Sequence, residues 1–163
     1  MVEYRDRVKP YDISAEAAVL SALLVDPVSV IKSIEIVREE YFYRNEHRII
    51  FLAIRELFNN QSEVDPITLI DYLKKNGQLE KVGGESYVFE ITDIVVSGAN
   101  FEYHVKILYD KYILRELILV SNKIVEKCYE EGMPPDELLD YAENAVYQLS
   151  ETSQREGFSK VSS

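Results

Sequence analysis

The residue types that could perform chemistry are scattered along this 163-residue chain and do not fall into catalytic spacings. The six glycines form neither the G-x-x-x-x-G-K-[ST] loop that holds nucleotide phosphates nor the G-x-G-x-x-G fingerprint. His47 and His104 lack the H-E-x-x-H and C-x-x-C patterns of zinc sites, so each is predicted to be a surface or capping side chain. We therefore expect no catalytic residue, no cofactor site and no metal site in this chain.

The twelve tyrosines could in principle stack on the bases of single-stranded DNA. Stacking platforms normally accompany a basic groove, whereas this chain has 29 acidic and 18 basic residues and a net charge of −11. Because such a surface repels phosphate backbones, we expect no direct DNA binding. Tyrosines 87, 103, 109 and 112 are instead interpreted as core or interface residues with one polar end.

The single cysteine and the hydropathy pattern indicate a cytoplasmic chain without a membrane segment. Cys128 has no partner for an internal disulfide, and it lies in an apolar helical stripe, which predicts a buried thiol. No apolar run approaches the roughly 18–20 residues that a membrane span needs. The acidic charge favours basic protein partners, although solubility alone also explains it.

The elements that must position these residues are predicted to be almost entirely α-helical. Proline and glycine fall between helically periodic segments rather than inside them. Asp-Pro pairs, which combine an N-cap with a proline in the first turn, predict two helix starts, and glycines and asparagine mark other boundaries. The predicted boundary residues are Ser14, Asp26-Pro27, Asn45, Asp65-Pro66, Gly77, Gly83-Gly84 and Ser97-Gly98.

The second half of the chain predicts a helical hairpin. The helical pattern is unbroken from Asn100 to about Glu131, stops at Gly132-Met133-Pro134-Pro135, and resumes to about Ser150. The long helix carries two apolar stripes, although a helix with one neighbour needs only one. We therefore predict that it associates with a second copy, although the hairpin could instead fold back and bury both stripes. The predicted self-association residues are Ile113, Leu114, Leu117, Ile118, Val125 and Tyr129.

The predicted domain organisation has four parts. Residues 1–13 form an N-terminal arm, 14–98 a globular helical bundle, 99–151 the hairpin, and 152–163 the polar start of a linker. The predicted fold class is all-α, with a small orthogonal helical bundle followed by a long helical hairpin.

Five short stretches, in a fixed order, carry a resemblance to a known family. Together they are similar to the N-terminal domain of the bacterial replicative DNA helicase, the DnaB family, over roughly residues 10 to 151. These stretches are Pro10-Tyr11-Asp12-Ile13-Ser14-Ala15-Glu16-Ala17, Phe42-Tyr43-Arg44-Asn45-Glu46-His47-Arg48-Ile49-Ile50-Phe51, Val64-Asp65-Pro66-Ile67-Thr68-Leu69, Val82-Gly83-Gly84-Glu85-Ser86-Tyr87 and Ala99-Asn100-Phe101-Glu102-Tyr103.

The resemblance implies a role in assembly and docking. Family members are hexameric helicases in which hairpins pair between subunits and the N-terminal collar docks the C-terminal domain of primase. ATP and Mg²⁺ act in a C-terminal motor domain that this chain lacks. The resemblance implies primase docking at Tyr87, Arg115, Ile118 and Ile124, and it leaves open whether a helicase loader touches the same surface.

Two rival hypotheses belong to other functional classes. A free-standing helical adaptor or modulator of the replisome could mimic this domain, and an open reading frame that stops near Ser163 would support it. An unrecognised enzyme with its active site in a helical bundle would need clustered ionisable residues with perturbed pKa values, and the sequence shows no such cluster.

Overall fold

The computed structural model describes residues 7–94 and 100–155, and within these ranges the chain is helical with no β-strand. The described residues include the single-turn 3-10 helices Glu39–Tyr41 and Glu80–Val82 beside the α-helices. The α-helices are α1 (Ile13–Val25), α2 (Pro27–Ile36), α3 (Asn45–Asn59), α4 (Pro66–Lys75), α5 (Gly84–Thr92), α6 (Phe101–Glu130) and α7 (Pro135–Arg155). The all-α prediction is confirmed.

Aspartates begin three of these helices. Asp26 and Asp65 cap α2 and α4 as the Asp-Pro pairs predict, and Asp65 forms a reciprocal capping box with Thr68. The prediction that Ser14 caps the first helix is wrong, because the Asp12 carboxylate accepts a hydrogen bond from the backbone N–H of Ala15. A serine and an aspartate two residues apart both satisfy the N-cap preference, so local sequence did not choose between them.

Helix α1 forms the centre of the globular core. All ten residues from Ala15 to Leu24 are buried, and the helix contacts α2, α3 and α5. Its alanines at positions 15, 17, 18 and 22 leave room for close neighbours. The largest fully buried side chains around it include Phe42, Phe51, Ile54, Leu69, Leu73 and Ile91.

The chain forms two compact units, and their division lies inside α6. Among the described residues, the globular unit comprises 11–94 and 100–112, and the hairpin unit comprises 113–155 together with 7–10. The sequence predicts the boundary before the long helix, at residues 98 and 99. The structure assigns the first turns of α6 to the globular unit, because Phe101, Val105 and Leu108 are buried in its core. The predicted break at Ser97-Gly98 lies outside the described residues.

Tyrosines on the first turns of α6 differ in their environments. Tyr109 is buried and meets the ring of Tyr41 edge-on, whereas Tyr103 is 67% exposed. Tyr112 also packs against Tyr41, at 5.1 Å between ring centroids. The sequence predicted a core or interface position for both tyrosines. Tyr109 is a core residue, and Tyr103 is not.

Helices α6 and α7 are joined by the four residues 131–134, and the Lys127 ammonium lies 4.9 Å from the centre of the Tyr141 ring. Glu131, with φ of 52°, takes the left-handed conformation at the end of α6, although the sequence pointed to Gly132 as the stop. Helix α7 extends to Arg155, so the expected end near Ser150 is too early and the first linker residues are helical.

No described residue from 113 to 153 is buried in the single chain. The prediction that Cys128 is a buried thiol is therefore wrong: its side chain is exposed. Helical periodicity identified the apolar stripe correctly but could not show whether a neighbour covers it. No helix within the described residues combines the length and apolar character that a membrane span requires.

Candidate functional site

A buried carboxylate organises the polar centre of the globular unit. Glu16, in the first turn of α1, is 1% exposed. Its carboxylate accepts hydrogen bonds from the backbone N–H groups of Tyr43 at 2.8 Å and Arg44 at 3.3 Å. These groups lie just before α3, whose own N-cap residue, Arg44, makes no side-chain capping bond. Glu16 therefore caps α3 from another helix and places negative charge at its positive end.

His47, in the first turn of α3, joins this carboxylate to Tyr87 on α5. Its Nδ1 atom lies 2.8 Å from Oε1 of Glu16, and its Nε2 atom lies 2.7 Å from the Tyr87 hydroxyl oxygen. The imidazole and phenol rings are parallel within 9°. The prediction that His47 is a surface or capping residue is wrong, because its side chain is 0% exposed.

The sequence did contain a signal for this burial. His47 is three and seven residues before Ile50 and Ile54, so it shares the inward face of α3 with them. Its polar neighbours at positions 45, 46 and 48 obscured that spacing. Nothing local indicated Glu16 as the partner, since the two residues are 31 positions apart.

Tyr87 sits between this buried network and an open cavity of about 490 Å³. Burial raises the pKa of the Tyr87 phenol above its ordinary value, while the nearby Arg44 guanidinium opposes that rise. The cavity is also lined by the carboxylate-bearing residues Glu46, Glu80 and Glu90 and by Lys81. Tyr87 therefore lines the cavity, while its hydroxyl is hydrogen-bonded to the buried His47.

The arrangement suits positioning better than catalysis. Both ring nitrogens of His47 are already in hydrogen bonds, and its ring is shielded from solvent. With its pKa raised, the Tyr87 phenol stays protonated and is a poor nucleophile. Among the described residues no group of three or more histidine, cysteine, aspartate or glutamate side chains could hold a metal ion. The network therefore fixes the orientation of Tyr87.

The other predicted docking residues lie in the hairpin unit. Arg115 is half-buried and donates a hydrogen bond from Nη1 to the backbone oxygen of Pro10 at 2.9 Å. Ile118 is 36% exposed. Ile124 is half-buried and lies on the same side of α6 as Lys127, which contacts α7. Ile124 thus lies towards the α7 side of α6, whereas Ile118 is accessible.

The hairpin presents one continuous apolar face. At about 100° per residue, Leu114, Ile118, Val125 and Tyr129 fall within a narrow arc of α6. That arc lies roughly 120° around the helix from the side that meets α7. On α7, Leu139 and Val146 lie to one side of the half-buried residues that face α6, and the rotation has the same sense as on α6. Because the two helices are antiparallel, the exposed apolar residues of α6 and of α7 lie on the same face of the hairpin. The exposed fractions are 44% for Leu114, 37% for Leu117, 42% for Val125, 83% for Tyr129, 63% for Leu139 and 48% for Val146.

Five of the six predicted self-association residues are therefore exposed on α6. Ile113 is the exception, being half-buried on the side towards α7. Leu119 is also exposed, at 45%, but it lies on a different side of α6. We call the set Leu114, Ile118, Val125, Tyr129, Leu139 and Val146 the hairpin apolar face.

Comparison with known proteins decides the family. Residues 8–110 match the family described as DnaB-like helicase N terminal domain. The chain belongs to this family. It is 38% identical over 149 residues to the replicative DNA helicase DnaB of Rhodothermus marinus, covering 91% of this chain and 16% of that protein. It is 34% identical over 158 residues to the replicative DNA helicase DnaB of Geobacillus stearothermophilus, covering 97% of this chain and 35% of that protein.

Solved structures of the family share the fold. The N-terminal domain of DnaB helicase from Mycobacterium tuberculosis matches with a TM-score of 0.79 and 29% identity, covering 86% of this chain and 99% of that one. A DnaB-like replicative helicase, solved in a study of its interactions with primase, matches with a TM-score of 0.69 over 85% of this chain and 31% of that one. At 20% identity, the second match shows the fold alone. The chain spans about a third or less of the length of these two curated relatives.

Proposed function

We propose that this chain is the N-terminal assembly and docking domain of a replicative DNA helicase. The proposal rests on family membership and on one structural observation, the hairpin apolar face. The parent protein would unwind duplex DNA at the replication fork with ATP and Mg²⁺ bound in a C-terminal motor domain. This chain would contribute binding surfaces in the cytoplasm and no catalytic group.

Self-association through the hairpin is supported by the lack of buried residues in its described part. No described residue from 113 to 153 is buried, so this unit has no apolar core of its own. Exposed, contiguous apolar surface on a chain of this kind typically marks a protein interface. Pairing two copies through this face would give each hairpin the neighbour it lacks. A two-fold pairing of this kind could be repeated three times in a hexamer.

Docking of the primase C-terminal domain is supported at two places. Tyr87 combines an accessible aromatic ring with a fixed hydroxyl, and aromatic residues of that kind are enriched at interface hot spots. Ile118 offers an accessible apolar anchor on the hairpin. The −11 charge favours a basic partner and opposes direct contact with DNA. A helicase loader is a second protein that this acidic surface would suit.

A calorimetric titration of this chain with the primase C-terminal domain from the same organism tests the docking role. Saturable binding is the expected result. Absence of binding, in a preparation shown by circular dichroism to be folded and by sedimentation to be self-associated, would overturn primase docking by the isolated domain. The reading frame separates this proposal from the adaptor hypothesis. A phosphate-binding loop encoded downstream supports the helicase, and a stop codon near Ser163 supports the adaptor.

A further inference from the structure

We infer that Glu16 and His47 are positioning residues that make the Tyr87 hydroxyl donate inward, so that its oxygen can meet a partner at the cavity only as a hydrogen-bond acceptor. This inference rests on the proposed docking role of Tyr87 and specifies the chemistry of that role. It depends on two contacts, each between residues of the globular unit.

The first contact fixes the proton on His47 Nδ1. The Glu16 carboxylate already accepts two backbone N–H groups, those of Tyr43 and Arg44, and an ionised carboxylate can only accept. Its third partner, 2.8 Å away, must therefore donate. Nδ1 of His47 carries the hydrogen in this contact.

The second contact then fixes the direction of the Tyr87 hydrogen. His47 lies in the first turn of α3, at the positive end of the helix dipole, in a fully buried position. The groups that face its ring are the carboxylate of Glu16 and the phenol of Tyr87. With a neutral ring, Nε2 is an acceptor, and the Tyr87 O–H donates to it across 2.7 Å.

The neighbouring cation agrees with this direction. Arg44 has no acceptor atom, and its charge lowers the pKa of the Tyr87 phenol, so the phenol cannot donate to it. A phenol oxygen that donates inward keeps its lone pairs for other donors. A partner atom that meets it at the cavity must be a donor.

The cavity lining specifies the donor further. Glu46, Glu80 and Glu90 line the opening with carboxylates, against the two cations Arg44 and Lys81, and Arg44 is already paired with Glu46 at 3.6 Å. A lysine or arginine side chain of the partner satisfies both the phenol oxygen and these carboxylates. A partner carboxylate or carbonyl at this point would face a lone pair and a net negative rim.

The tautomer of His47 can be measured without any partner. The chain contains only two histidines, so two-bond ¹H–¹⁵N spectra of the ¹⁵N-labelled wild-type domain at neutral pH resolve both rings after sequential assignment. We expect His47 to show a protonated Nδ1 and an unprotonated Nε2. A proton on Nε2, alone or together with one on Nδ1, would overturn the inference.

A double-mutant cycle measured by calorimetry against the primase C-terminal domain tests the route of action. His47→Phe should weaken binding by roughly two- to twelvefold, the range for one lost hydrogen bond, when Tyr87 is present. It should have no further effect in the Tyr87→Phe background, because the hydroxyl that it positions is gone. Losses that simply add would refute positioning through Tyr87.

Failure of the proposed function and failure of this inference would give different experimental results. A wild-type domain that does not bind primase contradicts the proposed function while leaving the tautomer result intact. The tautomer measurement needs no substitution, so the inference remains testable even if His47→Phe does not fold.

Discussion

Arg115 donates a hydrogen bond from Nη1 to the backbone oxygen of Pro10 at 2.9 Å, although the two residues are 105 positions apart. A side chain expected to meet primase thus already holds the N-terminal segment of its own chain against α6. Part of any effect of Arg115 on docking would then pass through that segment.

Arg115→Ala should therefore loosen the N-terminal segment. Losing a hydrogen bond from a charged donor costs a net of about 1.5–3 kcal/mol. We expect trypsin to cleave the exposed Arg7–Val8 bond several-fold faster in the variant, as followed by mass spectrometry. Lys123→Ala, an exposed site on the same helix, is the control and should leave the cleavage rate unchanged. Equal rates in wild type and Arg115→Ala would show that the contact does not restrain the segment.

Ile118→Asp should disrupt pairing of the hairpins while the globular unit stays folded. Burying an isoleucine at an interface contributes roughly 1.5–3 kcal/mol, so the dissociation constant should rise about tenfold or more. Leu119→Asp is the matched control, because Leu119 is as exposed as its neighbour but lies outside the hairpin apolar face. Sedimentation velocity over a range of concentrations measures both variants. Unchanged association in Ile118→Asp, or equal loss in both, would remove this face as the site of pairing.

Gly83→Ala should cost more stability than Gly84→Ala. Both glycines have positive φ, 107° and 77°, so alanine strains the backbone by about 1–2 kcal/mol at either position. Only at Gly83 would the new Cβ collide, at 2.9 Å from Cβ of Tyr87. Overpacking of this kind adds roughly 1–3 kcal/mol. Urea unfolding of the two variants should show this ordering, and equal free energies of unfolding would contradict the contact.

Alkaline pH should reduce the stability that Tyr87 contributes. Because burial raises the pKa of its phenol in the folded state, the protonated phenol contributes stability fully below the unfolded value of about 10. That contribution is lost as pH rises from this value through the folded pKa. The difference in unfolding free energy between wild type and Tyr87→Phe should be constant from about pH 8 to about pH 9.5 and then fall. The other tyrosines are present in both proteins, so their contributions to this difference cancel. A difference in unfolding free energy that stays constant to about pH 11 would contradict the raised pKa of Tyr87.

Periodicity and punctuation predicted the helices well because these signals are local. The Asp-Pro pairs at 26–27 and 65–66 gave the starts of α2 and α4, and the unbroken pattern after Asn100 gave α6 to within one residue at each end. The two-stripe pattern on α6 likewise predicted a face that the hairpin alone does not cover. Each of these features is encoded within a few turns of chain.

Burial at the polar centre could not be predicted from local sequence signals. His47 and Cys128 were both assigned the opposite environment from the one they have, since exposure depends on elements distant in sequence. Hydrogen bonds join Glu16 on α1 to His47 on α3 and His47 to Tyr87 on α5, although these pairs are 31 and 40 positions apart in sequence. No spacing rule relates such residues before the helices have packed.

The sequence by itself determined the helical class, the hairpin, the family and the presence of an unpaired apolar stripe, because helix propensity, capping and periodicity act between near neighbours. The tertiary structure alone decided which polar groups meet. It placed a buried carboxylate at the start of α3, set the histidine beneath Tyr87 and gave Arg115 to Pro10. These contacts form only when packing removes water from groups that then require partners, and that requirement is met in three dimensions rather than along the chain.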